Sequence, residues 1–388
     1  MLAPRWRVVV ALFVVTSCIA SAVSTFGVFL PVLAERFTWS RGAISVALSI
    51  NLVVGGLAAF AVGRFADRRG PRWALAVTVL VGALGFALSS RVTALWQFYL
   101  SYGVLVGVGM SSIYVLTAAT VARWFHRRRG LALAIVLSGF NLGWLTGGPL
   151  AALLIGRWDW RVAYVVLGAL VAAVGIPASL CVSYPRAVRS APAAGPPAAA
   201  RWPAADPRLW YLATAWAFLG LVFMMVTVHS VSYARDRGLS LEQASLALSA
   251  FGLGAISGRL LAGAAADRFG AVATMRVCLL VQGSALVTLL LGLPPWTLMG
   301  TLLVFGLGAS GADNTFVKSV PDVFGVAALA TVMSVVGLGW RSGAGLGPAL
   351  AGFVHDATGS YTPSFTFAVV ALIVGWTFFR RASAPRLR

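Results

Sequence analysis

Apolar residues fill long stretches of this chain, and polar residues collect in short intervals between them. A helix needs about 20 apolar residues to cross the hydrocarbon core of a bilayer. Twelve runs meet or approach that length, at 8–34, 42–63, 74–90, 92–122, 130–156, 162–184, 209–234, 243–266, 277–293, 296–317, 323–354 and 357–379. The ninth and tenth form one stretch, uncharged as far as Asp313 and divided at Pro294-Pro295, and the eighth and eleventh each enclose one arginine. The first run follows Arg5 and Arg7 and contains Ala20-Ser21-Ala22, as a signal peptide would, but it continues to Ala34. That is too long for a signal h-region, so the expectation is an uncleaved first span.

Composition agrees with the pattern. Of 388 residues, 60% are hydrophobic and 10% charged, against about 25% charged in ordinary soluble domains. Mean hydropathy is +0.89. A soluble protein cannot hide that much apolar surface, so the fold class expected is an all-α integral membrane protein of twelve transmembrane helices. A soluble enzyme, a disordered chain and a disulfide scaffold are excluded. The three cysteines lie singly inside apolar runs, which indicates neither a disulfide framework nor a zinc site.

The net charge is +20, from 30 basic and 10 acidic residues. All the basic residues except Lys318 are arginine. They lie between the apolar runs and form no single polar face, so they read as topology determinants, and no nucleic-acid partner is implied. With both ends assigned to the cytosol, 21 basic residues fall on the inner side and 7 on the outer. That excess predicts cytosolic N- and C-termini. Arginine in place of lysine, with abundant alanine, suggests a GC-rich bacterial genome and hence a multi-pass protein of the bacterial cytoplasmic membrane. Residues 185–207 are rich in proline and alanine without helical period, as a flexible linker is. The expected organisation is a six-helix bundle at 1–184, a cytosolic linker at 185–207 and a second six-helix bundle at 208–388.

The halves echo each other. Gly63-x-x-x-Asp67-Arg68-x-Gly70 follows the second run, and Gly263-x-x-x-Asp267-Arg268-x-Gly270 follows the eighth, at an offset of 200 residues. Gly148-Pro149 and Gly347-Pro348 form a second echo at offset 199. Two similar bundles imply pseudo-symmetry and a binding site near the midplane exposed alternately to either side. The repeated G-x-x-x-D-R-x-G motif, with twelve spans and a central loop, resembles the major facilitator superfamily over the whole chain. The resemblance implies a major facilitator fold in which the motif's acid and arginines latch the cytosolic ends of the two halves, making Gly63, Asp67, Arg68, Gly70, Gly263, Asp267, Arg268 and Gly270 a gating motif.

Three further segments narrow the resemblance. They are Trp39-Ser40-Arg41-x-x-Ile44-Ser45, then Tyr114 ahead of Arg123-Trp124-Phe125-x-Arg127-Arg128-Arg129-Gly130, and Gly258-Arg259-x-x-x-Gly263. Together they resemble the monocarboxylate transporters and the related oxalate:formate antiporters. Within the spans only Arg259, Arg341 and Asp313 are charged. A charge at the bilayer centre costs roughly 2.5–3.5 kcal/mol on insertion scales and ordinarily faces a wet path, and a guanidinium presents a planar fork suited to a carboxylate. On the resemblance, Arg259 stands where these relatives carry a substrate arginine, and Tyr114 matches a tyrosine that hydrogen-bonds the anion. Relatives commonly place an acid one turn before that arginine, where this chain has Ala255. Asp313, at similar depth, is the candidate replacement, pairing with Arg259 and exchanging a proton as substrate arrives. Arg341 stands where the antiporters carry a lysine. Arg259 and Arg341 together would clamp a dianion, whereas Asp313 neutralising one of them leaves a site for a monoanion. Asn141 and His229 are polar positions within spans that need partners and are further candidates for the substrate path.

The function expected is secondary active transport of a small organic anion, a monocarboxylate first, by alternating access. Dicarboxylate/monocarboxylate exchange and drug efflux are the alternatives. The partners expected are the anion, a coupling ion (a proton among the candidates) or an exchange substrate, and the lipid bilayer, with the carrier working as a monomer. No GxxxxGK[ST], HExxH or GxSxG occurs, so neither an ATP-driven pump nor an enzyme is indicated, and no cofactor or metal is implied.

Overall fold

The computed structural model describes residues 4–125, 129–185, 206–324 and 329–384, without the side chains of residues 4, 113–115, 129–130 and 329–331. The expected linker lies almost entirely outside the described residues. Every described element is helical, and nine helices are long and apolar enough to cross a membrane among the described residues. The described residues of the runs at 92–122, 296–317 and 323–354 also fold mostly as helix. The first of these is a composite, Leu95–Phe98, a π-helix at Tyr99–Val106, Gly107–Met110 and Ser112–Trp124, and the other two are Leu298–Phe324 and Leu329–Thr358.

The first span is interrupted at Thr25, between Pro4–Ser24 and Phe26–Phe37. The Ser24 hydroxyl donates to the Gly143 carbonyl (3.0 Å) on the fifth span, helping to fix the break. The second, third, fifth and sixth spans are Arg41–Arg69, Pro71–Ser89, Arg129–Arg157 and Trp160–Leu180. The seventh to ninth are Pro207–Asp236, Leu241–Phe269 and Ala271–Leu290, and Thr362–Ala382 is the twelfth.

The chain divides into two compact units. One holds Met1–Trp39 and Val46–Ala194, and the other Ser40–Ser45 and Gly195–Arg388. In the first, span 1 packs on spans 5 and 6, and span 3 on spans 4 and 6. In the second, span 7 packs on spans 11 and 12, and span 9 on spans 10 and 12. The contact pattern of one half is thus repeated in the other, giving two six-helix bundles.

Small residues draw the helices close, as association within lipid requires. A Cβ at Gly139 would lie 2.7 Å from the Phe13 carbonyl oxygen, and one at Gly339 would collide with that of Ala213. Gly147 stands against the Ser21 carbonyl as Gly347 stands against that of Leu221. These seams repeat at an offset of 200, so Gly147 corresponds to Gly347. The register that the Gly-Pro pairs indicate is therefore corrected by one residue, and the two prolines are not equivalent positions.

Candidate functional site

Arg259 projects from the eighth span and Asp313 from the tenth. Arg259 Nη2 donates to Asp313 Oδ2 at 3.3 Å, and both side chains are about one-third exposed, at 31% and 32%. Close packing of the two helices makes the meeting possible, because a Cβ at Gly258 would overlap the Leu307 carbonyl. The other carboxylate oxygen, Asp313 Oδ1, accepts from Trp216 Nε1 on the seventh span at 3.1 Å. Asn314 Nδ2 donates to the Arg259 carbonyl at 3.3 Å. Arg259 Nε is buried and has no acceptor among the described residues. Ala255, one turn before Arg259, is buried and offers no polar atom. The group is therefore a cation paired with one acid, part exposed, with a donor still unmatched. It can take an anion by exchanging one carboxylate for another.

The structure brings Arg259 and Asp313 together. Arg341 is half-buried in Leu329–Thr358 of the same unit. Asn141 is buried on the fifth span in the other unit. Tyr114 falls within Ser112–Trp124, with its side chain outside the described residues. His229 requires a correction. It is 0% exposed, and both ring nitrogens are occupied: Nε2 meets the Pro348 carbonyl at 2.8 Å and Nδ1 the Tyr361 hydroxyl at 3.0 Å. A carbonyl can only accept, so Nε2 carries the proton and Nδ1 accepts from Tyr361. The ring presents no free nitrogen and serves the packing of its own unit.

The repeated motif is tied down within each half. Asp67 Oδ1 accepts from Arg123 Nη2 at 3.2 Å, and the Arg123 guanidinium lies 3.9 Å from the centre of the Tyr184 ring. Asp267 pairs with Lys318, whose Nζ also donates to the Gly263 carbonyl at 3.2 Å. Each acid thus holds the end of the second helix of its half onto the fourth. Gly70 and Gly270 have φ of 89° and 82°, a region that a Cβ disfavours, which explains glycine at the motif's end. Arg68 and Arg268 are exposed.

A second polar cluster escaped the site assignment. Both terminal nitrogens of Arg41 bind the two oxygens of Asp236 at 2.6 Å each, and Nη1 also reaches the Tyr361 hydroxyl at 2.9 Å. Asp356 accepts from the backbone nitrogens of Arg41 (3.0 Å) and Gly42 (2.8 Å), capping the start of the second span with a carboxylate. Burial pushes the Tyr361 phenol up to about 12, although Arg41 acts the other way. The sequence signal was Trp39-Ser40-Arg41 itself, which had served only as a family mark. Among the described residues no group of histidine, cysteine and acidic side chains is placed to hold a metal ion.

Comparison with known proteins gives a consistent answer. The sequence profile of the Major Facilitator Superfamily matches residues 12–241 and again 228–388. Monocarboxylate transporter 13 of Bos taurus is 27% identical over 378 residues, 95% of this chain and 87% of its own. Monocarboxylate transporter 11 of Homo sapiens is 27% identical over 390 residues, 95% of this chain and 81% of its own. The crystal structure of a bacterial homolog to the human lysosomal transporter Spinster, inward-facing and occupied, superposes with a TM-score of 0.80. It is 18% identical and covers 99% of this chain and 98% of its own.

Proposed function

This chain belongs to the Major Facilitator Superfamily, and on that premise we propose that it carries a small organic anion, a monocarboxylate first, by alternating access of a site built around Arg259. One observation carries this reading. A guanidinium within an apolar span keeps a buried Nε without an acceptor among the described residues, while its Nη2 is held at 3.3 Å by a carboxylate that another carboxylate can replace. A buried donor left unmatched costs about 1–3 kcal/mol, and an anion with two oxygens removes that cost. The names of the mammalian relatives support monocarboxylates ahead of other anions.

In this reading the incoming carboxylate takes Arg259 from Asp313. The displaced Asp313 becomes a place for a proton, coupling the anion to the proton gradient. Tyr114, Asn141 and Arg341 stand as further contacts on the substrate path, and Asp67 and Asp267 with their glycines and arginines as the cytosolic gate. The carrier sits in a bacterial cytoplasmic membrane with both termini in the cytosol, its bundles at 1–184 and 208–388 joined by the linker at 185–207. The positive-inside bias supports that orientation. Counterflow into proteoliposomes with labelled lactate, pyruvate and oxalate tests the proposal. Exchange of lactate or pyruvate is expected. Exchange of oxalate alone would move the substrate class to dicarboxylates held by Arg259 and Arg341, and exchange of none would overturn the anion reading.

A further inference from the structure

Asp313 is held from two sides by different kinds of donor. Arg259 Nη2 binds Oδ2 and Trp216 Nε1 binds Oδ1, so helices seven, eight and ten converge on one carboxylate. The Trp216 ring is fixed by stacking on Phe316, with centroids 4.9 Å apart and planes 12° from parallel, and Phe316 is fully buried. Phenylalanine would stack there equally well. What tryptophan adds is a single N–H aimed at the carboxylate.

We infer that Trp216 is a positioning residue of the anion site, holding Asp313 when the arriving carboxylate takes Arg259 away. The inference rests on the reading of Arg259 as the substrate arginine. Until a proton reaches it, an ionised carboxylate stripped of its only donor in a part-buried position of an apolar span is costly, and that cost would be charged against anion binding. Trp216 lowers it because its hydrogen bond lies on the other oxygen and survives the exchange. A second cation in its place would compete for the substrate. A neutral indole carries no charge and has a single donor, which Asp313 already occupies, so it holds the acid without competing for the anion.

The test is titration of the full-length purified protein with pyruvate, lactate and oxalate, reading the dissociation constant, alongside melting without ligand. Trp216→Phe is expected to weaken binding about 3-fold, a fraction of the worth of one hydrogen bond to a charged group, because the bond is made with and without the anion and only its gain on losing Arg259 is read. In an Asp313→Ala background the same substitution is expected to change nothing further. Trp216→Gln keeps an N–H donor but loses the stack, so it should bind more tightly than Trp216→Phe although it melts lower. An unchanged dissociation constant in Trp216→Phe, or an equal loss with and without Asp313, overturns the inference and leaves the Arg259 reading intact. Failure of that reading looks different: Arg259→Ala binds as the parent does, or none of the three anions binds the parent.

Discussion

The guanidinium of Arg41 and the carboxylate of Asp236 face each other through two parallel hydrogen bonds of 2.6 Å. This fork-to-fork pairing suits arginine and not lysine. The pair sits where the second span begins and the seventh ends, and Tyr361 and His355 close around it. Arg41→Lys is expected to lower the melting temperature, as is Asp236→Asn. The double variant should lose less than the sum, with a coupling of about 1–2 kcal/mol, because residues in one network are not additive. A double-mutant cycle on the purified protein checks this, and strict additivity would show the pair to be energetically idle.

His229 closes a chain of hydrogen bonds from the Pro348 carbonyl to Tyr361. Replacing it with leucine takes the side-chain donor from the Pro348 carbonyl and the acceptor from the Tyr361 hydroxyl proton, while Arg41 still donates to that hydroxyl; a buried group so deprived costs about 1–3 kcal/mol. The expected result for His229→Leu is a clear loss of thermal stability with the apparent KM for substrate unchanged. A shift in KM without loss of stability would return His229 to the substrate path.

Two glycine substitutions should act in opposite directions. A Cβ at Gly339 collides with the Ala213 backbone, whereas one at Gly283 meets nothing within 4 Å. Gly339→Ala is expected to destabilise by about 1–3 kcal/mol, as overpacking does. Gly283→Ala is expected to stabilise by about 0.5–1 kcal/mol, because alanine is the better residue inside a helix. Thermal melts of the two variants decide it, and equal effects would contradict the helix seam described for the second unit.

Asp67 and Asp267 are exposed, with side chains 65% and 73% accessible. Exposed ion pairs contribute about 0.2–1 kcal/mol, so Asp67→Asn and Asp267→Asn should barely move the melting temperature. If the motif gates the carrier, transport should still fall several-fold in each. Comparing initial exchange rates with melting curves separates gating from folding. Rates that fall only as far as stability falls would remove the gating role.

The helical architecture and its duplication were legible because both rest on local pattern: runs of bilayer length, and Gly63-to-Gly70 repeated 200 residues on. The charged candidates Arg259 and Asp313 were equally visible, since an ionised side chain stands out among apolar neighbours. Their partners were not. Trp216 looks like any core aromatic until its N–H is seen on Asp313, 97 residues away. Lys318 read as one more inner basic residue, yet it holds Asp267. His229 read as a polar group in need of partners, and these were not visible because its acceptor and donor lie 119 and 132 residues further along the chain. The Gly-Pro echo misled by one residue because a short motif fixes a register less firmly than backbone contacts do. In each case the missing knowledge was which distant helix lies opposite, and hydropathy carries none of it.

Binding of the transported anion by Arg259 is the proposal from which the other roles follow. Its most direct measurement is counterflow of labelled pyruvate into proteoliposomes by the parent protein, Arg259→Lys and Arg259→Ala, with folded protein matched by melting temperature. Exchange is expected with the parent, strongly reduced exchange with lysine, which keeps the charge but not the fork, and none above background with alanine. Exchange by Arg259→Ala at the parent's rate would contradict it.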